Sequence, residues 1–232
     1  TNQPYIINSK GEIVYAQPAA QPGDFKFKDL NGDGRISDDD KTIIGNPFPN
    51  HLFGLTLNLK YKFIDFTMFW QGVYGNEILN LTKFYGFNQS GLYNWNTDYI
   101  NNHYRDKTII AKDANGKVWE EFSENQNAKY PRLDPTNKNG NFDRLSTFYI
   151  EDGSYLRLRN IQIAFTLPKN FLFRKLSIGE MKIYFGARNL ITLTKYSGMD
   201  PEVPQDDPIT AGIDKAGYPV ARSYIIGTTI KF

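Results

Sequence analysis

At 232 residues the chain has the length of one or two ordinary domains, and its net charge of +2 provides no global field to attract nucleic acid or an anionic membrane surface. It has no cysteine, which excludes disulfides, thiolate nucleophiles and thiolate-bound zinc together, and only two histidines, His51 and His103, so a three-histidine metal site cannot be built. Mean hydropathy is -0.51 and no apolar run reaches the ~18 residues of a transmembrane helix, although alternating membrane strands would keep mean hydropathy equally low.

Lysine and arginine are scattered along the chain, so no nucleic-acid surface is expected. The opening "TNQPYIINSK" lacks the apolar core of a signal peptide; either a signal has been removed or the chain is a piece of something longer. The 15 Tyr and 17 Phe, with frequent Asn and Gly, point to strands punctuated by turns in an extracytoplasmic protein.

The first informative stretch is "DLNGDGRISDDD", residues 29–40. A twelve-residue calcium loop takes its oxygen ligands from positions 1, 3, 5, 7, 9 and 12, with glycine at 6. Here these are Asp29, Asn31, Asp33, the backbone carbonyl of Arg35, Ser37 and Asp40, with Gly34 at the turn and Ile36 as the apolar anchor. Asp40 stands where glutamate is usual. The flanks "GDFKFK" and "KTIIGNP" lack helical period, so a structural Ca2+ clip is expected and not a regulatory helix–loop–helix. A polar turn that binds nothing is the alternative.

Strands follow. In "LFGLTLNLKY", 52–61, Phe53, Leu55, Leu57, Leu59 and Tyr61 share one face, while Gly54, Thr56, Asn58 and Lys60 share the other. The segment 64–74 repeats this, with Ile64, Phe66, Met68, Trp70 and Tyr74 opposite Asp65, Thr67, Gln71 and Val73, and Phe69 an exception. Only Lys62 and Phe63 separate the two, which predicts a tight hairpin. Residues 75–147 form a long stretch without strong strands, with short helices expected over Glu77–Tyr85 and Thr97–Tyr104; such a length inside a compact domain points to a functional loop. In the strand at 154–167 Leu156 and Leu158 have one parity and Ile161, Ile163, Phe165 and Leu167 the other, which predicts a bulge near Asn160. A turn stopped by Pro168 leads to a strand over 180–192 with Met181, Ile183, Phe185 and Ala187 on one face, then to a Pro/Asp/Gly-rich loop at 195–221.

The last segment, 222–232, places Tyr224, Ile226, Thr228, Ile230 and Phe232 on one face. Gly227, Ile230 and Phe232 resemble, in spacing, the terminal signal of outer-membrane barrels read by the barrel-assembly machinery, with Ile225 where a polar residue is expected. Several strands have about the ten residues needed to cross a bilayer at a tilt, and short and long connections alternate, as in such barrels. With the 29–40 loop outside, the chain would end on the inner side, and Tyr61 and Phe63 would sit in the inner aromatic girdle.

Together these blocks resemble the C-terminal part of the SusC/RagA family of TonB-dependent outer-membrane transporters. The resemblance runs through "PGDFKFKDLNGDGRISDDDKTIIGNPFPNHLFGLTLNLKYKFIDFTMFWQGVYGNEILN", "LSTFYIEDGSYLRLRNIQIAFTLP", "GARNLITLTKYSGMDPEV" and "GIDKAGYPVARSYIIGTTIKF". It implies an all-β fold: an antiparallel transmembrane β-barrel segment, the last strands of a 22-stranded barrel, with long extracellular loops, residues 1–232 being its C-terminal portion. It also implies a SusD-like surface lipoprotein as lid, energy from the TonB complex through a missing N-terminal part, an oligosaccharide or peptide substrate, and a Gram-negative outer membrane with its lipid. Five or six strands cannot close a barrel of about eight or more, so a fragment of a larger transporter is expected.

In that setting Thr56, Asn58, Lys60, Asp65 and Gln71 would line the lumen, and Trp95 and Trp119 are candidates for contact with substrate or lid, packing of the loop being the alternative. A secreted calcium-stabilised β-sandwich that binds carbohydrate is the competing protein class. A hydrolase is not expected: the neighbouring acids Glu120/Glu121 and Asp206/Asp207 diverge in an extended chain, whereas acid–base work needs a fixed separation across the substrate.

Overall fold

The structure, a computed structural model, describes residues 5–87, 94–105, 108–112, 115–116, 118–122, 125, 127–167, 178–203 and 208–231. Phe232, Pro168 and the Asp206/Asp207 pair lie outside the described residues, as do the side chains of Trp119, Glu120 and Glu121. In chain order the elements are β1 (Tyr5–Ile7), β2 (Ile13–Tyr15), β3 (His51–Tyr61), β4 (Ile64–Tyr74), β5 (Glu77–Asn80), α1 (Leu81–Phe87), α2 (Thr97–Asn102), β6 (Thr108–Lys112), β7 (Val118–Phe122), β8 (Ile150–Asp152), β9 (Tyr155–Leu167), β10 (Glu180–Thr194), β11 (Ile213–Asp214) and β12 (Ser223–Lys231). The chain divides into two compact units, Thr1–Ile44 with Thr82–Tyr149, and Gly45–Leu81 with Ile150–Phe232.

The second unit is built on a five-stranded antiparallel sheet in the order β12-β10-β9-β4-β3. The expected strands are all present, each within a few residues of its predicted bounds. Tyr61 pairs with Ile64, so Lys62 and Phe63 alone make the turn, with Lys62 at φ 52. The bulge expected near Asn160 is found: Phe69 pairs with Asn160 but Trp70 with Leu158, leaving Arg159 as an extra residue in β9. β10 compensates on the other side, where Arg188 pairs with Asn160 and Ile191 with Leu158. An inserted residue restores the facing of side chains after a parity change.

The helix expected over Glu77–Tyr85 needs correction. Its first residues form β5, which pairs antiparallel with β8 and parallel with β11, and only Leu81–Phe87 is helical. Tertiary pairing overrides local propensity here, because it buries Ile78. The helix expected from Thr97 is α2, capped by Asn96, whose Oδ1 accepts from Asp98 N at 2.8 Å.

The first unit has its own core of Phe87, Tyr99 and Phe142, with Tyr130, Leu133 and Phe148 packed against it. Ring centroids of Phe87 lie 4.6 Å from Tyr99 and 4.8 Å from Tyr130. Phe87, Tyr99, Tyr130, Leu133 and Phe142, all within the stretch expected as one long loop, are thus packed in an aromatic cluster. Beside it runs a buried amide network: Gln17 Nε2 donates to Asn139 Oδ1 at 2.9 Å, Asn139 Nδ2 to Asn141 Oδ1 at 2.7 Å, and Asn141 Nδ2 to Asp24 Oδ1 at 2.8 Å. Arg132 adds ion pairs to Asp24 at 2.7 Å and Asp134 at 2.9 Å. These bonds hold segment 17–27 against 132–141, and thus fix the chain just ahead of the acidic loop.

Candidate functional site

The register of the five-stranded sheet sorts its side chains completely. Row by row across β3, β4, β9 and β10 run Tyr61–Ile64–Phe165–Ile183, Leu59–Phe66–Ile163–Phe185, Leu57–Met68–Ile161–Ala187 and Leu55–Trp70–Leu158–Ile191. β12 extends the first three with Thr228, Ile226 and Tyr224. One face is therefore apolar across all five strands, and it is not covered: Leu55 is 59% exposed, Tyr61 67%, Phe185 46%, Tyr224 74% and Ile226 71%. A soluble sheet with so wide an apolar face would have to bury it.

The opposite face is polar and internally paired. Lys182 Nζ lies 2.7 Å from Asp65 Oδ2. Arg157, 2% exposed, donates through Nη1 to Glu202 at 2.7 Å and through Nε to Thr192 Oγ1 at 2.9 Å, and it is also paired with Asp200. Arg159, the bulge residue, donates to Gln71 Oε1 at 2.6 Å and pairs with Glu202. Asp200 Oδ2 accepts from Val220 N at 2.9 Å, which ties the 195–221 loop down. Of the expected lumen residues, Thr56, Asn58 and Lys60 are exposed, while Asp65 and Gln71 are half-buried partners in this network. The sequence signal for this cluster is the alternation Arg157–Leu158–Arg159 together with the distant acids of "MDPEV".

Loop 29–40 is wound by its own side chains. Asp29 accepts from Gly32 N at 2.7 Å and Gly34 N at 2.8 Å, Asn31 Oδ1 from Asp33 N at 2.9 Å, and Asp33 Oδ1 from Arg35 N at 2.8 Å. Asp40 closes the loop by accepting from Leu30 N and Ser37 N, both at 2.8 Å. The N–H groups of Ser37 and Leu30 hold the Asp40 carboxyl below the usual carboxylate range, and Lys41 does the same for Asp38. Gly34 is at φ 76, and Ile6 of β1 is seated on it: a Cβ there would meet Ile6 Cγ2 at 2.0 Å. The donor set is that of a hard-cation loop. The carboxylates, however, are turned to the backbone, and among the described residues no three His, Asp or Glu side chains are grouped to hold a metal ion. Trp95 is half-buried in the first unit.

No family model matches the chain. Among curated proteins it is similar to TonB-dependent receptor P3 of Formosa agariphila, 33% identical over 220 residues, covering 92% of this chain and 19% of that protein. It is also similar to TonB-dependent receptor P26 of the same organism, 29% identical over 90% of this chain and 20% of that protein, and to TonB-dependent receptor SusC of Bacteroides thetaiotaomicron, 26% identical over 91% and 18%. The chain thus spans about a fifth of these relatives, which are receptors by name and not enzymes. Of solved structures, the RagAB peptide transporter matches with TM-score 0.64 and 24% identity over 99% of this chain and 22% of that one. The RagAB peptide importer in its 'closed-closed' state matches with TM-score 0.63 and 23% identity over 99% and 22%. At that identity the likeness speaks for the fold alone. On the sequence relatives and the shared fold together, the chain belongs to the SusC/RagA-type TonB-dependent receptors, as a segment of one.

Proposed function

We propose that this chain forms part of the wall and outer loops of a TonB-dependent importer in the outer membrane of a Gram-negative bacterium. The observation that carries it is the uncovered apolar face spanning β3, β4, β9, β10 and β12, with a paired polar face behind it. Lipid outside and water inside is the one common solvent arrangement that suits both faces at once. β3 and β12 are the two edges of the sheet, and in lipid each needs a neighbouring strand, which the rest of a 22-stranded barrel would supply. The polar face then borders the lumen, and the 195–221 loop is clamped to it by Asp200 and Glu202. Energy would come from the TonB complex through parts of the receptor outside this chain, with a SusD-like lipoprotein as lid. The cargo would be an oligosaccharide or a peptide, the class named for the RagAB structures.

The test is spin labelling at Leu55, Leu57 and Phe66 in the full-length receptor in lipid. Labels reached by a lipid-soluble relaxant and shielded from a water-soluble one are expected. Labels buried against protein and reached by neither overturn the proposal.

For loop 29–40 we propose structural Ca2+. Its support is the spacing of Asp29, Asn31, Asp33, Arg35, Ser37 and Asp40, the left-handed turn at Gly34, and the meeting of the loop's two ends through Asp40 and Leu30. Binding would have to swing the carboxylates of Asp29, Asp33 and Asp40 from backbone N–H groups toward one centre. Calcium titration of the full-length receptor against its Asp29→Ala and Asp33→Ala variants decides it; identical titrations remove the site.

A further inference from the structure

Residues 195–221 read in sequence as a long Pro/Asp/Gly-rich loop, the kind of segment in which mobility concentrates. Its described parts are nevertheless fixed at the start, in the middle and at the end. At the start, Tyr196, which is buried, donates through Oη to Asp214 Oδ2 at 2.5 Å, and Ser197 donates to the Glu151 carboxylate of β8 through N at 2.9 Å and through Oγ at 2.8 Å. In the middle, β11 adds to β5 in parallel and Leu79 N donates to Gly212 O at 2.8 Å. Gly212, at φ 72, lies so close to Pro47 that a Cβ on it would meet Pro47 Cβ at 2.4 Å. The end returns to the start: Val220 N reaches the Asp200 carboxylate, and Asn189 Nδ2, in the irregular stretch of β10, donates to Ala221 O at 3.1 Å.

Asp214 and Asp200 each join parts of the loop that are distant along the chain. Asp214, 5% exposed, accepts from Tyr196 and also from Ala216 N at 2.9 Å, beside which Ala216 takes φ 64, a left-handed conformation uncommon outside glycine. Asp200 binds both Arg157 and Val220 N. Local opening is easy where buried contacts are few; here the anchors are largely buried and spread along the loop. The loop also covers the sheet. Arg157 stands in the polar-face row Gly54–Gln71–Arg157–Thr192, and Asp200 and Glu202 close over it. We propose that residues 195–221 form a fixed ledge on the polar face, which narrows the lumen at its long-loop end and stays in place while cargo passes, the passage being opened by other parts of the receptor. This rests on the importer function proposed above.

The test uses the full-length receptor on a background without other cysteines. Leu79 and Ile213 stand opposite each other in the β5–β11 ladder, so Leu79→Cys with Ile213→Cys can be oxidised to a disulfide that ties the middle of the loop to β5. Cells carrying this receptor are given a fluorescent tryptic digest of casein or fluorescent maltodextrins. The probe that enters is expected to enter at the same rate in the oxidised and the reduced form. Uptake lost on oxidation and restored on reduction overturns the ledge. A second measurement needs no cargo: the distance between spin labels at Leu55, on the apolar face, and at Tyr218, a fully solvated loop position. One narrow distance is expected, and Asp214→Ala is expected to lose it. Several distances without that substitution overturn the fixed loop, and an equally narrow distance in Asp214→Ala overturns the anchoring by Asp214. If neither probe enters through the wild-type receptor while the distance stays single, the proposed cargo classes fall and the fixed loop stands.

Discussion

Tyr184 of β10 and Gly227 of β12 stand directly opposite each other in the sheet, and the tyrosine ring occupies the space a side chain on Gly227 would take: a Cβ there would meet Tyr184 Cζ and Oη at 2.4 Å. The glycine in the terminal strand is thus explained by packing as well as by its place in a signal spacing. The ring covers a backbone stretch that would otherwise be bare, the arrangement known as aromatic rescue of a strand glycine. Gly227→Ala is expected to push the ring aside and cost about 1–3 kcal/mol. Tyr184→Ser in the same chain should recover most of that loss. The urea midpoint of the full-length receptor measures both; a double variant no better than Gly227→Ala would show that the ring is not what requires the glycine.

The Arg157 cluster gives a second prediction. Arg157 is almost wholly buried and bonded through all three of its nitrogens, to Thr192, Glu202 and Asp200. Removing it strands Asp200 and leaves Glu202 to Arg159 alone, so Arg157→Ala is expected to destabilise by about 3–5 kcal/mol. Glu202 is more exposed and Arg159 keeps its bond to Gln71, so Glu202→Gln should cost well under half as much. Limited proteolysis within 195–203 reports the release of the loop directly. Equal cleavage of wild type and Arg157→Ala would mean that the loop is held by something other than these pairs.

The strands and their facing were legible in the sequence because a half-buried sheet writes itself at period two, and even the bulge at Arg159 left a mark in the parity change between Leu158 and Ile161. The first unit left no such mark. Its core residues Phe87, Tyr99 and Phe142 are separated by intervals that match no period, and buried amides such as Gln17, Asn139 and Asn141 look like loop residues until their partners are known. β5 reads as helix in the sequence because its partners, β8 and β11, lie far away along the chain. In the acidic loop the donor spacing was legible, but the turning of each carboxylate to a nearby N–H was not, since spacing does not choose between metal and backbone.

A third prediction concerns pH. Asp98 accepts from Lys129 Nζ at 2.7 Å, from Tyr130 Oη at 2.5 Å and from Asn102 Nδ2 at 2.7 Å. The Lys129 bond, followed by that of Tyr130, holds its carboxyl down at about 2. A depressed folded pKa stabilises fully above the unfolded value of 3.8, and that contribution fades as pH falls through the folded value. The protection of α2 amides, taken relative to the intrinsic exchange rate at each pH, should therefore be constant above about pH 4 and should fall, relative to other helices, between about pH 4 and pH 2. Asp98→Asn should remove this acid-dependent component. Identical acid profiles for the two proteins would mean that Asp98 does not couple α2 to Lys129.

The fourth prediction separates a lipid-facing sheet from an apolar face that merely awaits a protein cover. In lipid, the cost of a cation on the outer face depends on depth, about 2–4 kcal/mol at the midplane and about 0–1 near the interface. Leu57 lies in a middle row of the apolar face and Tyr61 in the row beside the turn. Leu57→Arg is therefore expected to be the costlier substitution by about 2 kcal/mol, although the two side chains share a strand, a face and an apolar character. Asn58→Arg, next to Leu57 but on the polar face, should cost little, because that face already carries exposed Lys60. A protein cover predicts a different order: the cost would follow packing and show no gradient with distance from the turn. Unfolding of the full-length receptor from lipid vesicles gives all three values, and a Tyr61→Arg cost equal to that of Leu57→Arg would count against hydrocarbon at this face.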